Sequence, residues 1–147
     1  MPRAAVAVGV LAAVVYVNSL GNGFVFDDLH AVAGNPDVRA PGLQLLQHDF
    51  WGMPMASADS HKSFRPLCVL SFALDWQLWR GAAVGFHATN VVLHAIAAVL
   101  VYSVARMLCP GAPRAATVAG LLFAVHPIHT ENVSNVVGRA DILATSK

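Results

Sequence analysis

Between Phe86 and Ala105 the chain carries no Asp, Glu, Lys or Arg, and the first formal charge after Gly85 is Arg106. The surrounding stretch, "FHATNVVLHAIAAVLVYSVARML" (86–108), is long enough to cross the hydrocarbon core of a bilayer, which takes roughly 20 residues at ~1.5 Å each. A soluble fold holding such a helix would have to bury it on all sides and cover it with charge. Soluble domains carry about 25% charged residues. Here charged residues are 12% and apolar residues 56% of 147 positions, with a mean hydropathy of +0.59. So little charge cannot coat a globule in water. The class that follows is an all-α integral membrane protein with negligible strand content.

Other segments extend this pattern. Residues 4–22 form a second candidate span, with Arg3 before it and the stop signals Gly21, Asn22 and Gly23 at its end. It reads as an uncleaved anchor, because Ala-x-Ala occurs only near residues 5–7, too early for signal-peptide cleavage. "AATVAGLLFAVHPI" (115–128) is a third, shorter span, and 139–147 looks like the opening of a further one. The long segment 23–85 joins the first two spans. Within it, "FRPLCVLSFALDWQLW" (64–79) is apolar but holds Arg65 and Asp75 and ends on Trp76 and Trp79, as expected of a helix lying in the interface. Arg3, and Arg106 with Arg114 around the turn "CPGAPR", place the N-terminus and that turn in the cytosol. The 23–85 loop and a turn at 126–138 then share the opposite face. A net charge of +1 offers no basic face for nucleic acid. Cys68 and Cys109 form no CxxC and no disulfide framework.

Polar residues gather on that opposite face, and charge at membrane depth usually lines a cavity or a site. Asp27, Asp28 and His30 follow the first span directly; as a pair, the carboxylates can act as general base, hold a cation or cap a turn. "HPIHTE" (126–131) sets His126, His129 and Glu131 at the start of a helix. This H-x-x-H-x-E pattern makes a divalent metal possible, but no Cys joins it and nothing else supports one. "SHKSFRP" (60–66) brings Lys62 and Arg65 beside hydroxyls, either as a phosphate clamp or as a solvated loop. Arg139 and Asp141 complete the set. His87, Asn90 and His94 share one helix face, for bonding between helices or for lining a ligand path. On residues alone, a polytopic transporter or channel segment and a non-catalytic membrane adaptor stay open beside an enzyme.

The stretches "FVFDDLHAVAGNPDV", "HDFWGMPM", "SHKSFRPLCVLSF", "GFHATNVVLH" and "LLFAVHPIHTENVSNVVGRADIL" resemble, in order, the opening of the transmembrane and tetratricopeptide-repeat (TMTC) family. The resemblance implies an N-terminal part of a GT-C-type glycosyltransferase of the endoplasmic reticulum membrane, multi-pass, with its N-terminus cytosolic and the 23–85 loop and the 126–138 turn lumenal. It implies transfer of mannose from dolichyl-phosphate mannose to Ser or Thr of cadherin and protocadherin proteins. "VFDDLH" also resembles the F-D-E-x-H stretch of the classical protein O-mannosyltransferases. That likeness assigns Asp27 as the base, with Asp28 in place of the Glu. That chemistry also needs positive charge on the departing phosphate, so His30, Lys62, Arg65, His126, His129, Glu131, Arg139 and Asp141, on the same face, become the candidate donor and phosphate set. The family's later spans and tetratricopeptide repeats are absent from these residues, so the expectation is a fragment inactive by itself.

Overall fold

The computed structural model describes residues 2–145. Within them lie α1 (Pro2–Val14), α2 (Pro36–Arg39), α3 (Pro66–Trp79), α4 (Ala83–Leu108), α5 (Pro113–Val125), α6 (His129–Ser134) and α7 (Arg139–Thr145). Among the described residues there is no strand, and β pairing is limited to an isolated bridge between His48 and Pro54. The last two positions of the 139–147 segment, Ser146 and Lys147, lie outside the described residues.

Prolines set several helix starts. Pro36, Pro66 and Pro113 occupy the first helical turn, where the missing N–H is no loss. Pro127 follows the last turn of α5, whose cap His126 is already extended, as a residue before proline prefers. α1 gives way after Val14 to a 3₁₀ turn at Val17–Gly21, where the Ser19 hydroxyl donates to the Tyr16 carbonyl at 2.7 Å.

α1, α4 and α5 pack as one bundle. Its inner faces are built from small side chains, with Val8, Ala12, Ala98, Ala116 and Ala124 buried around Tyr102. A Cβ on Gly120 would stand 2.9 Å from Tyr102 and 3.1 Å from Val8, so the backbones approach closely, as they do where helices pack in lipid. The outer faces are as apolar as the inner ones. Val6, Val10 and Val14 of α1, Val92, Ile96 and Leu100 of α4, and Val118 and Leu122 of α5 are all exposed. Two helical segments, Arg3–Gly21 and Ala83–Leu108, are long and apolar enough to cross a membrane. Aliphatic side chains spaced four apart and facing outward suit hydrocarbon and not water. The chain is a membrane protein.

A second layer covers one end of this bundle. Val32, Phe50, Val69, Phe72, Phe86 and Val136 form its core, drawn from the 23–65 segment, α3, α4 and the α6–α7 turn. Cys68 is buried in it and Cys109 is exposed at the far end of α4; burial pushes the Cys68 thiol up to about 11, which makes it an inert packing group.

The 23–65 segment lacks long helices yet is tightly tied. Asn35 donates to the Ala31 and Phe50 carbonyls, both at 3.1 Å, and accepts the Asp37 amide at 2.9 Å. Asp49 is buried and accepts from the Trp51 and Met53 amides, the Ser60 hydroxyl at 2.7 Å and the His61 amide at 3.0 Å. Burial pushes its carboxyl up, but the hydroxyl and the amides overcome this and hold it below the ordinary range. A depressed carboxyl adds stability above the ordinary Asp value of about 3.9 and loses it as pH falls through the folded value. Segment 49–63 should therefore become the first protease-cut part of the molecule below about pH 4. In Asp49→Asn it should be cut at neutral pH, read by mass mapping of the fragments.

Candidate functional site

The turn leaving the first apolar segment is built around Asp28. This side chain is fully buried. Its Oδ2 accepts the Val25 amide at 3.2 Å and its Oδ1 accepts the Val137 amide at 3.0 Å. The first bond closes the turn on itself. The second ties it to the α6–α7 segment, 109 residues further along the chain. Burial raises the Asp28 carboxyl above its ordinary value, against the pull of the two amides. Asp28 is thus a clamp whose oxygens are both engaged. Asp27, its neighbour, is exposed. Phe26, just before it, sits at φ +45° and is 86% exposed.

α6 lies beside this turn. A cleft of about 600 Å³ is walled by Val25 and Phe26 on one side and by Ile128, Thr130, Glu131 and Ser134 on the other. The Tyr16 hydroxyl donates to the His126 carbonyl at 3.4 Å, which ties the end of α5 to the turn that follows α1. His126 is exposed and its Nδ1 accepts the Ile128 amide at 3.2 Å. His129 turns inward, with its ring 4.2 Å from that of Phe123 and 5.2 Å from that of His94. Burial, helped by the neighbouring imidazoles, holds His129 below its ordinary value, so it is a neutral ring at neutral pH. Among the described residues no three His, Cys, Asp or Glu side chains converge as metal ligands do.

Arg139 and the residues around it were the least visible in the sequence. Arg139 is fully buried. Its Nη2 donates to Asp75 Oδ2 at 2.5 Å and to the Phe86 carbonyl at 3.1 Å, its Nε donates to Asn90 Oδ1 at 2.7 Å, and its Nη1 donates to the Ser71 hydroxyl at 3.2 Å. Its guanidinium also lies 4.8 Å from the Phe72 ring centroid. The other oxygen of Asp75 accepts the Thr89 hydroxyl at 2.8 Å. Arg139 therefore fastens α3, α4 and α7 together, with every edge of its fork in use. On the polar face of α4, Asn90 and His94 are likewise taken up internally, whereas the two ring nitrogens of buried His87 make no hydrogen bond among the described residues. Asn90 donates to the Asn135 carbonyl at 3.0 Å, and His94 Nε2 meets the Ala124 carbonyl at 3.2 Å. The signal that could have marked Asp75 was a lone carboxylate inside an apolar helix, which needs a partner.

The remaining candidates separate. Lys62 is exposed, but its Nζ donates to the Met55 and Ser57 carbonyls at 2.6 and 2.5 Å, closing its own loop. Arg65 is exposed, with its guanidinium 5.2 Å from the Phe50 ring centroid. Together with exposed Asp141 it borders a cavity of about 740 Å³ between the start of α3 and α7. His30 is exposed on a π-helical turn, Leu29–Ala33. Of the ten residues singled out, the structure brings His126 together with His129, their ring centroids 6.1 Å apart, and Arg65 together with Asp141; Glu131 shares its cleft with Val25 and Phe26, the residues just before Asp27. Arg139 lines neither cavity.

No protein-family model matches the chain, and no solved structure matches it. Curated relatives do. The chain is 50% identical over 137 residues to protein O-mannosyl-transferase Tmtc2 of Drosophila melanogaster, covering 91% of this chain and 14% of that protein. It is 49% identical over 134 residues to Tmtc1 of the same fly, covering 90% and 16%. To human protein O-mannosyl-transferase TMTC4 it is 46% identical over 151 residues, covering 92% and 20%. The chain thus spans a fifth or less of the length of these relatives. Identity near one half over about nine-tenths of the chain is that of homologues sharing one fold, and the chain belongs to the TMTC family, whose matching members are named protein O-mannosyl-transferases.

Proposed function

We propose that this chain supplies the base-bearing turn of a GT-C-type mannosyltransferase in the endoplasmic reticulum membrane. The enzyme moves mannose from dolichyl-phosphate mannose to Ser or Thr of cadherin-type proteins. The observation that carries this reading is the contrast within one turn: Asp28 is buried with both oxygens engaged, while the next carboxylate, Asp27, is exposed. A rigid clamp beside a free carboxylate is what a positioned general base requires. The relatives' shared name supplies the reaction class.

The transfer inverts the sugar. The acceptor oxygen attacks mannose C1 and a new C1–O bond forms. The bond from C1 to the phosphate oxygen breaks, and its electron pair leaves with dolichyl phosphate. The hydroxyl proton passes to Asp27. Negative charge grows on the phosphate, and a preorganised cation lowers the barrier there. Arg65 suits that task better than Arg139, whose donors are committed within the fold. In this arrangement α1, α4 and α5 span the bilayer with the N-terminus cytosolic. The second layer is lumenal, and α3 lies at the headgroup level with Trp76 and Trp79 near its end. The committed side chains of Asn90 and His94 speak against an ion path through the bundle.

The test uses the protein as purified from its own cells, in nanodiscs loaded with radiolabelled dolichyl-phosphate mannose. Label should move to Ser or Thr of a cadherin-type domain. Label that stays wholly on the lipid, with ion flux appearing in liposomes, would replace this reading with a transport one.

A further inference from the structure

Phe26 is out of place by two measures. A non-glycine residue at φ +45° is strained. The residue is 86% exposed, so packing does not compensate for that strain. Ile128, across the cleft, is 66% exposed, and Val25 is 49% exposed. The strained backbone is held in place from both sides, because the Leu29 amide donates to the Phe26 carbonyl at 3.2 Å and Asp28 is clamped to Val25 and Val137. The turn thus spends rigidity on presenting an unburied ring one residue before the free carboxylate of Asp27.

The cleft beside it is about 600 Å³ and has a mixed lining. Apolar Val25, Phe26 and Ile128 meet Thr130, Glu131 and Ser134. Its side-chain charge is negative, from Glu131 in the wall and Asp27 next to Phe26. A phosphate would be repelled there, so the lipid-linked donor does not fit this cleft. An uncharged peptide that carries a hydroxyl fits, with the backbone and hydroxyl met by the polar wall and a neighbouring side chain by the apolar one.

We propose that Phe26 and Ile128 read the acceptor, selecting a Ser or Thr flanked by a bulky apolar residue whose side chain packs between them. This rests on the transferase reading and adds the substrate's local sequence to it. An aromatic wall that buries an apolar side chain changes affinity by about tenfold or more.

The experiment compares two acceptor peptides, Ser flanked by Leu and Ser flanked by Gly, with protein purified from its own cells and with its Phe26→Gly variant. Transfer from dolichyl-phosphate mannose gives kcat/KM. Binding of the unreactive Ala-for-Ser versions, by fluorescence anisotropy, gives affinity without chemistry. The Leu-flanked peptide should be favoured about tenfold by the parent protein in both measurements. Phe26→Gly should bring that ratio close to one. The same variant should unfold at a higher temperature, because glycine relieves the positive φ. Lost preference together with raised stability is a pair that a merely structural Phe26 does not give. Equal handling of the two peptides by the parent protein, or a preference that survives in Phe26→Gly, would overturn the proposal and leave the transferase reading standing. Absent transfer with the binding preference intact would overturn the transferase reading and keep the cleft as a peptide site.

Discussion

Arg139→Met should be the most damaging single substitution in the second layer, lowering stability by about 3–5 kcal/mol, the usual effect of removing one partner from a buried ion pair. The variant leaves the Asp75 carboxylate buried with only the Thr89 hydroxyl on its far oxygen. It also removes the donors that meet the Phe86 carbonyl and Asn90 Oδ1. Asp75→Leu alone should cost a similar amount, because it strands a guanidinium that is fully buried. The double variant should be markedly more stable than the sum of the singles predicts, since both charges leave together. Denaturant unfolding in detergent micelles, followed by tryptophan emission from Trp51, Trp76 and Trp79, measures all four corners of the cycle. Additive losses would show that the pair is not coupled.

Asp27→Asn should reduce mannosyl transfer by about 10²–10⁴-fold, the range that a positioned general base supplies, with unfolding midpoint and helix content unchanged. Exposure of Asp27 is why the fold should tolerate the change. Asp28→Ala should also lose transfer, but by another route. The Val25 and Val137 amides lose their acceptor, at about 1–3 kcal/mol for buried donors left unpaired. Its midpoint should fall with its activity. The two neighbours are thus separated by one comparison, activity against stability. Transfer that persists in Asp27→Asn would remove this residue from the base role.

Much of the helical layout was legible because apolar runs and prolines are local signals. α4 starts at Ala83, three residues before the charge-free run was placed, and α5 covers 113–125 where 115–128 was expected. The shift at α5 has a simple cause: Pro113 opens the helix and Pro127 forbids continuing through His126. The first segment was expected as one span over 4–22, whereas α1 gives way after Val14 to 3₁₀ geometry at Val17–Gly21, where the Ser19 hydroxyl bonds the Tyr16 carbonyl. The chemistry of individual charges was less legible. Arg139 and Asp75 are 64 positions apart, and no periodicity links them, so Arg139 read as a phosphate ligand. Lys62 read as a free cation because its acceptors are carbonyls, which have no signature in the sequence. The order of the 49–63 loop was hidden for the same reason, since Asp49 works through backbone amides. Asp27 and Asp28 are indistinguishable as letters, and burial separates them.

The fastener also sets a schedule for biosynthesis. Asp75 and Asn90 leave the ribosome long before Arg139, which follows them by 64 and 49 positions. Until that guanidinium emerges, a nascent chain must keep the Asp75 carboxylate hydrated, so the second layer can close only after α7 has been made. A premature stop codon anywhere between Asn90 and Arg139 would deliver a polypeptide with inserted helices and an unlatched cover, the sort of unfinished product that membrane quality control removes.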